Sequence, residues 1–347
     1  MIFHIEKVPR KLRFEPKEET NKFYTQIEKL GKGTYGSVYK VIDNETQQIF
    51  ALKRILFLDQ HEGIPVDVLR EITFLSQINH PNLLNIYKYL LFPDKIEMFI
   101  DYCQTDLKHF IAFGTYTEKT VKLLIYQIIL GISCLHSHLI MHRDLKPGNI
   151  FLNTDTMEIK IGDFGLSRKI DFFARPYTLE VSTLGYRAPE LIMQSNYYLN
   201  GIDTWSIGCI LAEMITKQCL IEGNNELEQL VKMRELFGNF TFENSSGIQL
   251  IPNDNDIGGK HVTNITQYIK DKAIVDVSDD CYDLIEQMLV IDPNKRICLK
   301  DALEHVSYFK FNFLTVFRNG SNELEEKNIF SFFFQLFLFK SNEVSSS

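Results

Sequence analysis

Two short segments constrain this chain more than any other part of it. One is His142-Arg143-Asp144-Leu145-Lys146-Pro147-Gly148-Asn149, and the other is Asp163-Phe164-Gly165. Between them they supply a carboxylate that can accept a proton, and an amide and a second carboxylate that suit a hard cation. With 347 residues the chain is long enough for two packed lobes around them.

The remaining composition excludes several classes. A net charge of −8 argues against bulk nucleic-acid binding, so no nucleic-acid partner is expected. No run of about 18 apolar residues stands out, so no transmembrane segment is expected. Met1-Ile2-Phe3-His4-Ile5-Glu6-Lys7 lacks the apolar core of a secretory signal. The six cysteines lie at 103, 134, 209, 219, 281 and 298 without a Cys-x-x-Cys pair. That spacing suggests neither zinc nor a redox motif, and it fits a reducing compartment, nucleus or cytoplasm.

Along the chain, residues 1–22 are charged and without period, and read as a mobile or loosely docked arm. Ser37–Ile42 and Ile49–Ile55 are rich in β-branched and aromatic residues, with a turn at 43–46 between them. A helix is expected next, with Pro65 at its first position and Leu69, Ile72 and Leu75 on its inner face. Ile96–Ile100 reads as another strand. After about residue 105, Val121, Leu124, Ile125, Ile128, Ile132 and Leu135 make a long helical stripe. Residues 203–216 are apolar nearly all round, as in a helix at the centre of a lobe. The expected fold is α+β and bilobal, an antiparallel β lobe (23–100), a hinge (101–105) and a mainly helical lobe (106–309). A small-molecule site is expected between lobes of this kind. The Asn-, Asp- and Gly-rich stretch 239–275 reads as a surface insert, and 310–347 as a Phe-rich tail packed on the helical lobe.

Gly31-Lys32-Gly33-Thr34-Tyr35-Gly36-Ser37-Val38 joins two of the strands. Its glycines let the backbone close over phosphates with no Cβ in the way. A dinucleotide fold has similar glycines but needs a helix after them, whereas Ala51-Leu52-Lys53 follows here on a strand. Lys53 can reach the α- and β-phosphates, and Glu71 on the next helix is suitably placed to hold its ammonium.

These motifs resemble those of a eukaryotic protein kinase, and the resemblance extends over residues from about 23 to 309. It implies ATP as phosphoryl donor and Mg²⁺ held by Asn149 and Asp163. It also implies Asp144 as catalytic base and Lys146 beside the transferred group, with Lys53 and Glu71 completing the catalytic set. Lys146, with Thr183 later in the chain, looks like a serine/threonine rather than a tyrosine kinase. Further segments are similar to the cyclin-dependent kinase family. Pro65-Val66-Asp67-Val68-Leu69-Arg70-Glu71 resembles its cyclin-contacting helix. Tyr186-Arg187-Ala188-Pro189-Glu190 carries the arginine of the wider group that includes the mitogen-activated kinases. Asp203–Met214 and Asp292–Arg296 are close to the family's form, which implies a Glu190–Arg296 bridge and a bracing role for Asp203.

By the same resemblance, Leu30, Gly31, Lys32, Gly33, Thr34, Tyr35, Gly36, Val38, Ala51 and Phe151 surround ATP. The backbone of Asp101 and Cys103 meets the adenine edge, Ile100 lines the back, and Asp106 reaches the ribose. Thr178 sits where the family carries its activating phosphate, which Arg70, Arg143 and Arg168 would bind. The expected partners are therefore a cyclin-type subunit, an activating kinase for Thr178, and protein substrates bearing Ser/Thr-Pro. Thr34 and Tyr35 match positions where phosphorylation blocks activity in the family. Departures are Gly185 in place of Trp, Gly148 in place of a longer polar residue, and Phe151 in place of Leu. A cyclin-independent kinase of the same group remains an alternative. A catalytically dead partner-binding scaffold is disfavoured by intact Lys53, Glu71, Asp144, Asn149 and Asp163.

Overall fold

The fold turns on a change of hydrophobic period. Up to Ile100 apolar residues tend to alternate, and after Asp106 they recur at helical spacing. The chain divides at that change into two compact units, Met1–Gln104 and Thr105–Ser347. The computed structural model describes residues 13–14, 23–32, 36–57, 65–92, 94–170, 183–193, 198–238, 240 and 264–305. Gly33, Thr34, Tyr35, Thr178, the Phe-rich tail and most of 239–275 lie outside the described residues. The fold class is α+β, as expected.

In the first unit, β1 (Arg13–Phe14), β2 (Tyr24–Lys32), β3 (Gly36–Asp43), β4 (Ile49–Leu56), β5 (Ile86–Leu91) and β6 (Lys95–Ile100) form one sheet, ordered β1-β5-β6-β4-β3-β2. All neighbours are antiparallel except β1, which runs parallel to β5 with Phe14 opposite Leu91. Part of the stretch read as an arm thus joins the sheet edge. The 43–46 turn closes because Asp43 Oδ1 accepts the N–H groups of Glu45 (3.0 Å) and Thr46 (2.9 Å), while Lys88 pairs with Oδ2.

Alternation along β4 sends Phe50, Leu52 and Arg54 to one face and Ala51, Lys53 and Ile55 to the other. The first face carries a buried cluster that includes Tyr24, Val41, Leu90 and Phe99. Tyr24 and Phe50 meet Phe99 edge-on, with centroids 5.5 and 6.0 Å away. Glu97 lies fully buried on this face and accepts from Arg54 Nε (2.7 Å), Lys95 Nζ (2.7 Å) and Tyr24 Oη (3.0 Å). Burial and the nearby Glu97 charge push the Tyr24 phenol up to about 12, so it stays a donor.

Helix α1 (Val66–Gln77) follows Pro65, which caps it rather than occupying its first turn. The expected face is borne out at Leu75 and corrected at Leu69. Val68, Glu71, Phe74 and Leu75 are buried, whereas Leu69 is 45% and Val66 68% exposed. In this orientation Glu71 faces inward and pairs with Lys53, while Leu69 faces outward.

The second unit is mainly helical. Its strands are β7 (Thr105–Asp106), β8 (Ile140–Met141), β9 (Ile150–Asn153), β10 (Glu158–Ile161) and β11 (Arg168–Lys169). They pair as a sheet ordered β10-β9-β7 and as a β11-β8 ribbon. The helices are α2 (Leu107–Phe113), α3 (Glu118–Ser137), α4 (Pro189–Ile192), α5 (Gly201–Thr216), α6 (Glu226–Phe237), α7 (Ile265–Lys272), α8 (Asp279–Met288) and α9 (Leu299–Glu304).

Every residue of α5 from Ile202 to Thr216 is buried, and so is the whole expected stripe of α3. By length and composition alone α3 is apolar enough to cross a membrane, with a mean hydropathy of 1.4. However, 61% of that window is buried inside the protein, as in a core helix. Part of the supposed insert is also ordered, because Asn264 caps α7 by accepting from Gln267 N. Of the asparagines in that stretch, Asn264 thus serves as a helix cap.

Glu118 joins two helix starts, because its Oε1 accepts from Ser278 N (2.8 Å), just before α8, and pairs with Lys122 (2.9 Å) within α3. Burial alone would raise its pKa. The bonds to Ser278 and Lys122 overrule that and hold the carboxyl at about 2, against an ordinary 4.5. Because the folded pKa is depressed, the stabilisation is present above pH 4.5 and is lost as pH falls toward 2. After allowance for solvent screening, Glu118→Gln should cost about 1–2 kcal/mol at pH 7. Urea titrations should show that gap narrowing below pH 4.5, and a gap constant down to pH 3 would contradict the assignment.

Candidate active site

In the first unit the sheet register gathers the expected phosphate and adenine residues. Gly31 lies opposite Val38, Val38 opposite Lys53, and Ala51 opposite Ile100, which puts all of them on one face. Leu30 falls at a register shift between Lys29 and Gly31 and is half exposed. Gly36 opens β3 where a Cβ would stand 1.8 Å from the Arg54 carbonyl oxygen, so no other residue fits. Lys53 Nζ donates to both oxygens of Glu71, at 2.8 and 2.7 Å. The Glu71 side chain is buried, so the ammonium is held by a carboxylate that water cannot easily replace. Asp101 and Cys103 follow directly on β6, and Lys32 ends β2. Arg70 precedes Glu71 on α1.

In the second unit the site grows from the loop between β8 and β9. Asp144 is 7% exposed, and both of its carboxylate oxygens have partners. Oδ2 accepts from Lys146 Nζ (2.7 Å) and Asn149 Nδ2 (3.1 Å), and Oδ1 accepts from Thr183 N (3.1 Å). Lys146 also donates to Thr183 Oγ1 at 2.9 Å. Asn149 spends its amide N–H on Asp144, including the main-chain oxygen at 2.8 Å, which leaves the side-chain oxygen for a cation. Gly162 N donates to the Asn149 carbonyl (2.9 Å), which brings the start of Asp163-Phe164-Gly165 beside Asn149. Asp163 is exposed and sits at φ 63°. An amide oxygen and an exposed carboxylate form an all-oxygen donor set that fits a hard divalent cation completed by water.

The loop is braced from below. Asp203, fully buried on α5, accepts from Arg143 N (2.9 Å), His142 N (2.9 Å) and His136 Nε2 (2.8 Å). Burial opposes ionisation, but His136, His142 and the Arg143 amide outweigh it and keep the carboxyl below its usual range. Arg143 itself sits at φ 71°, a backbone form that costs about 1–3 kcal/mol for a non-glycine residue. His142 Nε2 contacts the Gly162 oxygen at 3.0 Å, and its ring packs on Phe164. Both contacts tie the loop to the Asp163-Phe164-Gly165 segment, a structural role. His136 was not singled out in the sequence. The only signal was a polar residue ending an apolar stripe.

Other expected residues take the following places. Asp106 lies opposite Phe151 in the β7–β9 pair and caps α2, accepting from His109 N at 2.7 Å. Arg168 lies opposite Met141 in the β11–β8 ribbon, near the start of the loop that carries Arg143. Glu190 and Arg296 form a buried two-pronged bridge with both contacts at 2.6 Å. Gly148 has open space where a Cβ would go. Gly185 does not, because a Cβ would meet Cys219 Sγ at 2.6 Å. The side chain at 219 fills the place of one at 185.

A protein kinase domain model matches residues 24–309. A protein named cell division control protein 2 homolog 3, from Trypanosoma brucei brucei, is 38% identical over 290 residues. The alignment spans 81% of this chain and 90% of that protein. The protein is therefore a serine/threonine protein kinase that uses ATP and a divalent metal. The chain belongs to the cyclin-dependent kinase family.

Proposed function

We propose that this kinase transfers the γ-phosphoryl group of Mg²⁺-bound ATP to Ser or Thr followed by Pro in protein substrates, and that a cyclin-type subunit and phosphorylation of Thr178 activate it. The observation that carries the reading is the state of Asp144, a carboxylate held by Lys146, Asn149 and Thr183. As a fixed acceptor it orients the substrate hydroxyl and takes its proton. Lys146 offsets charge beside it, and Lys53, fixed by Glu71, meets the α- and β-phosphates. Asn149 and Asp163 would hold Mg²⁺, which when bound neutralises charge on the phosphates. The main chain at Asp101 and Cys103 takes the adenine edge.

Exposed Val66 and Leu69 on α1 support a regulatory subunit docking there, since the same helix carries Glu71. The nearness of Arg168 to the loop bearing Arg143 supports a shared phosphate site for Thr178, with Arg70 as a third partner. Retained Arg187 supports the preference for proline. Phosphorylation of Thr34 or Tyr35 would oppose activity by repelling ATP, and the setting is nucleus or cytoplasm. The second reading, activity without a cyclin, is favoured by one observation. The Lys53–Glu71 pair is closed within the chain itself.

Asp163→Asn should leave below ~1% of wild-type transfer to a Ser-Pro peptide, and unchanged turnover would remove the metal assignment. Leu69→Glu should abolish co-purification of a cyclin-box subunit and lower activity in parallel. Full activity in a preparation without such a subunit would select the cyclin-independent reading. Thr178→Ala should reduce turnover at least ~10-fold, and wild-type rates in that variant would end the phosphate-switch proposal.

A further inference from the structure

The main chain that is read as the adenine contact leaves its ladder just where it has to be rigid. Strand β6 ends at Ile100, so residues 101–103 are not held by sheet hydrogen bonds. A side-chain clamp takes over. Asp101 Oδ1 accepts from Tyr87 Oη at 2.7 Å, and Oδ2 accepts from Asn85 N at 2.8 Å and Asn85 Nδ2 at 3.3 Å. The Tyr87 ring is itself seated on Phe50, with centroids 4.9 Å apart. On the next residue, Lys40 Nζ stands 4.6 Å from the centre of the Tyr102 ring.

We propose that Tyr87 and Asn85 are positioning residues for the nucleotide base. They fix the Asp101 carboxylate and, through it, the backbone groups of residues 101–103. A segment ordered in advance loses less entropy when the base docks. This inference rests on the reading that the main chain at Asp101 and Cys103 meets adenine.

The test measures KM for ATP, and for an analogue lacking the 6-amino group, in wild type, Tyr87→Phe, Asp101→Ala and Asp101→Asn, using full-length protein. Tyr87→Phe should raise KM for ATP about fivefold, with kcat at saturating ATP and KM for peptide unchanged. Asp101→Ala should raise it further, and Asp101→Asn, whose amide oxygen still accepts, should raise it less than Ala. The wild-type preference for ATP over the analogue should narrow in Tyr87→Phe. If wild type does not distinguish the two nucleotides, the adenine reading fails and takes this inference with it. If wild type prefers ATP but KM is unchanged in both Tyr87→Phe and Asp101→Ala, the positioning role alone is overturned, and a lowered Tm would then mark the clamp as purely structural.

Discussion

A single buried carboxylate organises the catalytic half of this molecule. Asp203 sits on α5, a helix buried over nearly its whole length, and accepts from the backbone of two consecutive loop residues. Those bonds hold Arg143 in a left-handed conformation that it would not adopt unaided. The turn at Arg143 determines where Asp144 points, and Asp144 in turn anchors Lys146, Asn149 and Thr183. The cost of burying the charge is offset because each oxygen has an N–H partner. Local strain at Arg143, beside Asp144, is thus sustained by packing below the loop.

In the first unit the corresponding economy lies in the period of a strand. Lys53 and Arg54 are adjacent in sequence yet face opposite sides of the sheet. One meets Glu71 on α1, and the other meets Glu97 among aromatic rings. The same strand therefore carries two ion pairs, one on each face of the sheet, that do not compete. A shift of one residue in the β4 register would exchange them, so the aromatic cluster specifies the site as well as supporting it.

Much of this was legible in the sequence, for identifiable reasons. The α5 core, the α3 stripe and the β3–β4 hairpin follow from hydrophobic period and turn chemistry, which are local signals. The meeting of Lys53 with Glu71, and of Asp144 with Asn149, was legible through the kinase motifs that these residues carry. Three features were not. The exposure of Leu69 on α1 is one, because apolar spacing does not say which edge of a stripe faces outward, although Leu75 on the same stripe is buried. His136 and the Asp101 clamp consist of contacts between distant segments with no motif.

The contact between Gly185 and Cys219 ties two positions far apart in sequence into one unit of change. With the thiol in place, even a methyl group at 185 collides, and the Ile221 carbonyl oxygen 3.1 Å away narrows the space further. A larger side chain can enter at 185 only if the Cys219 thiol turns away, residue 219 becomes smaller or its loop moves. Turning the thiol away would break its contact with the Ile221 oxygen at 3.4 Å. The glycine and the thiol thus act as one packing unit, so a substitution at either position is felt at the other.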